Sequence, residues 1–339
     1  MPKKTSAPSC GCCDAITRRR FLQSTAAVAA LLPFGSVVEA ADRAVAPKKT
    51  SETLVAEFYK TLTEPQRQNI CLPFGHELQA KVDNNWFITK SRVKDFSKDQ
   101  QDLIREIFKN LHSDEYAARV LDQVEFDNSG SGGFGGCSVA LFGEPGTGKF
   151  EFVFTGRHVT RRCDGDSVKG AAFGGPIFYG HQAGDNDEEK PNHPGNAYWY
   201  QAQRANELFN ALDGKQREVA LRDHGRLERK TETVKLTGKK TGLDGIRVGD
   251  MTRDQKDLVR KVMADVLAPF RKADAAESMK LIEKNGFENL HMAFYKNQDL
   301  GGDGVWDVWQ IEGPAMVWFF RGEPHVHTWV HVRENAPTV

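Results

Sequence analysis

The segment that most constrains the fold is Arg321 to Arg333, which reads Arg-Gly-Glu-Pro-His-Val-His-Thr-Trp-Val-His-Val-Arg. Even positions carry Val326, Thr328, Val330 and Val332. Odd positions carry Arg321, Glu323, His325, His327, Trp329, His331 and Arg333. β-Branched residues at every second position suit a strand, whose successive side chains point to opposite faces. One face is then apolar and packs on a core, while the other gathers three of the chain's 10 histidines. Packing alone does not explain an imidazole-lined face, so chemistry is expected on this strand.

Side chains at i and i+2 of a strand stand about 6.5–7 Å apart, and two imidazoles at that spacing can reach one ion. His325 and His327 are therefore candidate metal ligands. His331 lies about 13 Å beyond His327 along an ideal strand and would join them only across a bulge. A third ligand should come from another strand. His158, in Thr155-Gly156-Arg157-His158, is the first candidate, and His181, His291, Glu312 and Glu323 are further ones. Glu323 beside the pair could orient an imidazole or act as a catalytic general base. His331, Arg157, Arg321 and Glu312 are candidate ligands or outer partners. Copper, iron and zinc all accept imidazole nitrogen, and the residues do not choose among them. Two rival readings stand beside the metal: a His/Arg face that holds an anionic small molecule, and a sheet face with satisfied histidines.

Gly143-Glu144-Pro145-Gly146-Thr147-Gly148-Lys149 imitates a phosphate-binding loop. Phe150 stands where a Ser or Thr must hold magnesium, and Phe150 to Phe154 reads as a strand where a helix N-terminus is needed. A hairpin turn is the better reading, and no nucleotide is expected. Asp185-Asn186-Asp187-Glu188-Glu189 reads as a solvated charge run lacking calcium-loop spacing.

The N-terminus resembles a twin-arginine export leader. Arg18-Arg19-Arg20-Phe21-Leu22 precedes a short apolar run from Ser24 to Leu32, and Val38-Glu39-Ala40 offers a cleavage site near Ala40. The expected location is therefore exported, periplasmic or extracellular, with the twin-arginine machinery as partner and no stable membrane span after cleavage. The leader holds five basic residues (Lys3, Lys4, Arg18, Arg19, Arg20) and two acidic ones (Asp14, Glu39) in a chain with 46 of each sign, so its removal leaves a mildly acidic protein. No basic field is left for nucleic acid. Cys10, Cys12 and Cys13 leave with the leader. Cys71, Cys137 and Cys163 remain and allow at most one disulfide.

Residues 41–50 read as a linker and 51–335 as a single domain. Thr63/Gln66, Ser97/Gln100, Asp213/Gln216 and Thr252/Gln255 each have capping-box spacing. This recurrence concerns helix starts and does not by itself argue for repeated domains. Helical period follows at Leu103–Leu111 and Leu258–Leu267, and further helices are expected at 51–70, 197–211, 214–222 and 273–284. Short β-branched and aromatic runs at 137–142, 150–160 and 168–179, then at 290–296, 305–311, 315–320 and 325–332, form two strand blocks. Residues 223–250 read as a charged surface excursion. Trp306, Trp309, Trp318, Phe319 and Phe320 read as sheet core. The fold class is α+β, mostly antiparallel sheet in two strand blocks (about 137–179 and 290–332) with capped helices before and between them.

These pieces together resemble a bacterial exported family known as domain of unknown function 3500. The resemblance runs from about Glu57 to Arg333. It rests on Leu72-Pro73-Phe74, Gly143-Glu144-Pro145, Gly156-Arg157-His158, Phe173-Gly174-Gly175-Pro176, Leu212-Asp213-Gly214-Lys215-Gln216-Arg217, Ile311-Glu312-Gly313-Pro314 and His325-Val326-His327. The family pattern has Gly-His-His where this chain has Gly156-Arg157-His158. If both histidines are ligands in relatives, Arg157 leaves this chain one short. His158, His325 and His327 carry over position by position. The resemblance implies an exported domain and no established reaction. On the residues themselves, the expectation is a metal-dependent oxidoreductase or hydrolase built on His158, His325 and His327. A non-enzymatic anion-binding protein and a structural module are the alternatives.

Overall fold

The computed structural model describes residues 48–182, 196–296 and 304–335. The leader, most of the linker and the acidic run at 185–189 lie outside the described residues.

Every expected capping box forms. Thr63, Ser97, Asp213 and Thr252 each accept from the backbone N–H of the glutamine three residues on, whose side chain returns to the cap's own N–H. They open α2 (Glu64–Ile70), α3 (Lys98–Asn110), α6 (Gly214–Ala220) and α7 (Arg253–Leu267). The other helices are α1 (Ser51–Thr61), α4 (Ala117–Asp127), α5 (Tyr200–Ala211) and α8 (Lys272–Lys284). The sequence reading did not anticipate α4.

The strands are β1 (Cys71–Leu72), β2 (Ser138–Gly143), β3 (Phe150–Gly156), β4 (Val159–Cys163), β5 (Ile177–His181), β6 (Leu221–Arg222), β7 (Ile246–Arg247), β8 (His291–Tyr295), β9 (Val308–Gly313), β10 (Met316–Arg321) and β11 (Val326–Val332). They form one sheet in the order β1-β2-β3-β4-β5-β11-β10-β9-β8-β6, with β7 on β8. The protein is α+β and mostly antiparallel. Gly143 to Lys149 is the hairpin turn between β2 and β3, with Glu144 N–H donating to the Lys149 carbonyl. Gly143 sits at φ +74°, and a Cβ there would lie 2.1 Å from the Lys149 oxygen, so only glycine closes this turn. The run expected as one strand over 150–160 breaks at Gly156-Arg157-His158 into β3 and β4.

The strand order reads alike from both ends. Each half is an antiparallel meander with a two-residue strand added in parallel at its edge: β1 on β2, and β6 on β8. The halves meet antiparallel at β5 and β11, where Ile177 pairs with Val330. Local bonding repeats too. The side-chain amides of Gln66 and Gln100 bond reciprocally, as do those of Gln216 and Gln255. Gln100 Nε2 also reaches the last carbonyl of α1, at Thr61, and Gln255 Nε2 reaches the last carbonyl of α5, at Ala211. Arg92–Arg105 reads RVKDFSKDQQDLIR and Arg247–Arg260 reads RVGDMTRDQKDLVR. The recurring helix starts thus belong to two halves related by an approximate two-fold in strand order and pairing, a relation that the capping spacing alone does not argue.

One sheet face packs on the helices. The even side of β11 (Val326, Val330, Val332) joins Phe58, Phe108, Trp318 and Val262 in that core. The opposite face is covered by irregular segments. Val82, Val234 and Leu236 pack there on Phe178, Phe319 and Trp329. Residues 223–250 are therefore no mere surface excursion, because Val234 and Leu236 supply apolar area that a charged stretch hides from a periodicity reading. Among the described residues no helix is long and apolar enough to cross a membrane. Cys71, Cys137 and Cys163 are free thiols.

An acidic group on α8 gives a pH prediction. Burial first, then the charges of Asp166, Asp164 and Asp274, push the Glu277 carboxyl up to about 7. A carboxyl whose folded pKa is raised binds its proton more tightly in the native state, so stability falls as pH rises from about 4.3 through 7. Glu277→Gln should raise the urea midpoint at pH 8 and leave it unchanged at pH 4. An equal gain at both pH values would mean that the effect is not ionisation.

Candidate metal centre

His325 immediately precedes β11 and His327 is its second residue, which the register sets opposite Gly180 of β5. Glycine is needed there because a Cβ would lie 2.3 Å from the Val326 carbonyl oxygen of β11. His158 is the residue between β3 and β4. It adopts a left-handed conformation, φ +58°, which is uncommon for a residue with a side chain. Its backbone is held on both sides: its N–H donates to the Asn84 carbonyl at 2.7 Å, and its carbonyl accepts from Gly180 N–H at 3.2 Å. Strain of this kind persists where the surroundings fix it, and it is commonest at functional sites.

The three rings converge through their Nε2 atoms. His327 Nε2 lies 3.0 Å from His325 Nε2 and 3.2 Å from His158 Nε2. One ligand atom from each ring falls within 4.8 Å of the others, so the group could hold a metal ion. His158 and His327 are buried and His325 is partly open.

Two carboxylates stand on the far side of these rings. Glu228 Oε2 lies 2.6 Å from His327 Nδ1, and Asp127 Oδ2 lies 3.3 Å from His158 Nδ1. An ionised carboxylate only accepts, so His327 Nδ1 carries the proton and its Nε2 offers a bare lone pair toward the other two rings, while Asp127 stands beside His158 Nδ1. Burial works to raise the Glu228 pKa, but the bond and charge of His327 and the Arg321 guanidinium override it and bring it down to about 2. Arg321 Nε donates to Glu228 Oε1 at 2.6 Å. Burial likewise works against Asp127, and its bonds to His158 and His181 hold it below the usual carboxylate range. Burial pushes His327 down to about 4, with Glu228 opposing, and pushes His325 down to about 2, with His327 and His158 adding to the effect. Two nitrogens on one tetrahedral ion would stand about 3.3 Å apart, close to the spacing of these Nε2 atoms.

Of the other expected residues, His181, Arg157 and Glu323 lie near this cluster, while His331, Glu312 and His291 lie in a row toward the other end of β11. His181 Nδ1 meets Asp127 at 3.2 Å. Arg157 donates to Gln182 Oε1, and Asn128 clamps the Arg157 backbone on both its N–H and its carbonyl. Glu323 contributes its backbone carbonyl, which accepts from Arg321 Nη1 at 2.8 Å. His331 Nδ1 donates to the Val234 carbonyl at 3.1 Å, and Glu312 pairs with Arg226 at 2.7 Å. His291 Nδ1 lies 3.1 Å from the Asn289 carbonyl. Sequence reasoning missed Glu228 and Asp127. Glu228 sits in the charged run Arg226-Leu227-Glu228-Arg229-Lys230, and Asp127 ends the unanticipated α4.

Fold and cluster together define an α+β protein with a three-histidine group able to hold a metal ion. The chain belongs to the family described as Protein of unknown function (DUF3500), which matches residues 45–335. No curated protein and no solved structure matches it.

Proposed function

We propose that this is an exported metalloprotein in which His158, His325 and His327 bind one transition-metal ion through Nε2, most plainly as a metal-dependent oxidoreductase or hydrolase. The observation that carries the reading is the convergence of three imidazole Nε2 atoms, with that of His327 3.0 Å from His325 and 3.2 Å from His158, while Glu228 holds the far side of the His327 ring. The donor set is imidazole alone, which suits copper, iron or zinc and disfavours magnesium or calcium. When bound, such an ion supplies Lewis acidity, an activated water or an electron. Glu228 keeps the His327 ring oriented and its Nε2 unprotonated, Asp127 stands beside the far side of His158, and the half-buried His325 is the side from which solvent and substrate would enter. Export in the folded state through the twin-arginine route fits a protein loaded with metal beforehand, which favours the redox branch.

Elemental analysis of wild type purified after export, beside the His325→Ala/His327→Ala double variant, tests this. Near-stoichiometric copper, iron or zinc in wild type and none in a still-folded variant is the expected result. A wild type that carries none of these metals and takes none up when challenged would sink it.

A further inference from the structure

We propose that the large cavity at the other end of β11 is a second ligand site, for a hydroxylated carboxylate with an apolar body. The approximate two-fold gives its position. His327 stands three residues before Val330, and Gly174 stands three before Ile177, the residue that pairs with Val330. By the same count Ala172 answers His325. Ala315, just before β10, answers His158, just before β4. The counterpart of the metal cluster thus has two alanines and a glycine in place of three imidazoles. At that end a cavity of about 1260 Å³ lies between the covering segments around residues 74–80 and 226–237, with Gly174, Gly175 and Pro176 in its wall.

The wall chemistry selects an occupant. Phe74, Val168, Val234 and Leu236 offer apolar surface. Most charges in the wall already have partners: Glu151 with Arg162, Arg226 with Glu312, Glu77 with Lys81 and Glu232 with Lys235. Arg333 also lines the cavity and, among the described residues, has no carboxylate partner. It is the positive charge left over, and a guanidinium is matched by a carboxylate. Close by, His331 gives its Nδ1 proton to the Val234 carbonyl, so its Nε2 is an acceptor; that atom is buried and has no hydrogen-bond partner. Burial lowers the His331 pKa to about 4, which keeps the ring neutral. A buried acceptor without a donor costs free energy, and because His331 lines the cavity, a turn of its ring toward that space would let a ligand hydroxyl recover the cost. The anionic and metal readings of the His/Arg face then apply to different ends of one strand.

The test is a fluorescence titration of the whole protein with 6-hydroxy-2-naphthoate, and with 2-naphthol, which lacks the carboxylate. Wild type should bind the naphthoate saturably. Arg333→Met should weaken that binding at least about tenfold and Arg333→Lys less so. Binding of 2-naphthol should be the same in wild type and Arg333→Met. The His325→Ala/His327→Ala variant should bind the naphthoate as wild type does, because its metal cluster is elsewhere. No saturable binding by wild type, or equal binding by Arg333→Met, would overturn the site. Loss of binding in the histidine variant would also overturn it, by placing the anion on the metal cluster. The metal proposal is read separately by elemental analysis and can fail or survive on its own.

Discussion

Removing His158, His325 or His327 singly to alanine should each abolish stable metal binding, while Glu228→Gln should weaken it only 10–100-fold. The grading follows from what each group does. A histidine supplies a coordinate bond, and its loss leaves two ligands, too few for a protein site. Glu228 supplies only the hydrogen bond that fixes the His327 tautomer and raises its basicity, through a 2.6 Å contact to Nδ1. A glutamine can still accept that proton through its amide oxygen, without the negative charge. It would also release Arg321, whose Nε is held by the other Glu228 oxygen. The measurement is a competition titration of apo protein with a chromophoric chelator, using zinc and copper in turn, with circular dichroism to confirm folding. Equal affinity in wild type and His327→Ala would refute the three-histidine site. Equal losses in His327→Ala and Glu228→Gln would instead make the carboxylate a ligand.

How far this centre was legible depended on which forces leave periodic traces. Alternation in β11 placed His325 and His327 on one face, because strand geometry is a rule of two. His158 was reachable as a histidine ending a β-branched run. The break at Gly156-Arg157-His158 was not, since a left-handed histidine is set by tertiary bonds from Asn84 and Gly180. Glu228 and Asp127 left no trace. A carboxylate on a buried imidazole reads the same as one on a solvated turn until the chain is folded. The helix starts were legible from capping chemistry alone, for the cap and its glutamine are three residues apart. What those boxes also do was hidden. Gln66 to Gln100 and Gln216 to Gln255 are long-range pairs, and only together with the RVxD repeat do they identify two related halves. The aromatic crowding of the last strands was rightly core. It divides between two faces, with Trp309, Trp318 and Phe320 toward the helices and Phe319 and Trp329 toward the covering segments.

Arg162→Met should destabilise the protein by about 3–5 kcal/mol, the cost of stranding one partner of a buried ion pair. Arg162 Nη1 lies 2.7 Å from Glu151 Oε1, and neither side chain has any solvent exposure. The same guanidinium donates to the Pro176 carbonyl and to the carbonyls of Gln79 and Lys81. It therefore joins β4 to the segment that covers the loop-side face and walls the second cavity. Burial alone pushes the Glu151 carboxyl up, and Arg162 is the main force opposing that rise. Without it, Glu151 keeps one bond, from Gln79 Nε2 at 2.8 Å, and must either take a proton or remain a poorly paired buried charge. The double variant Arg162→Met/Glu151→Gln removes that charge and should recover part of the loss, since Gln79 can still be satisfied by an amide oxygen. Urea unfolding at pH 7 of the two single variants and the double one reads the coupling. If the loss in the double variant equals the sum of the two single losses, the pair contributes nothing as a pair, and the role of Arg162 lies in its carbonyl bonds alone. A coupling of a few kcal/mol would instead make the ion pair the principal tie between sheet and cover at this end of the molecule.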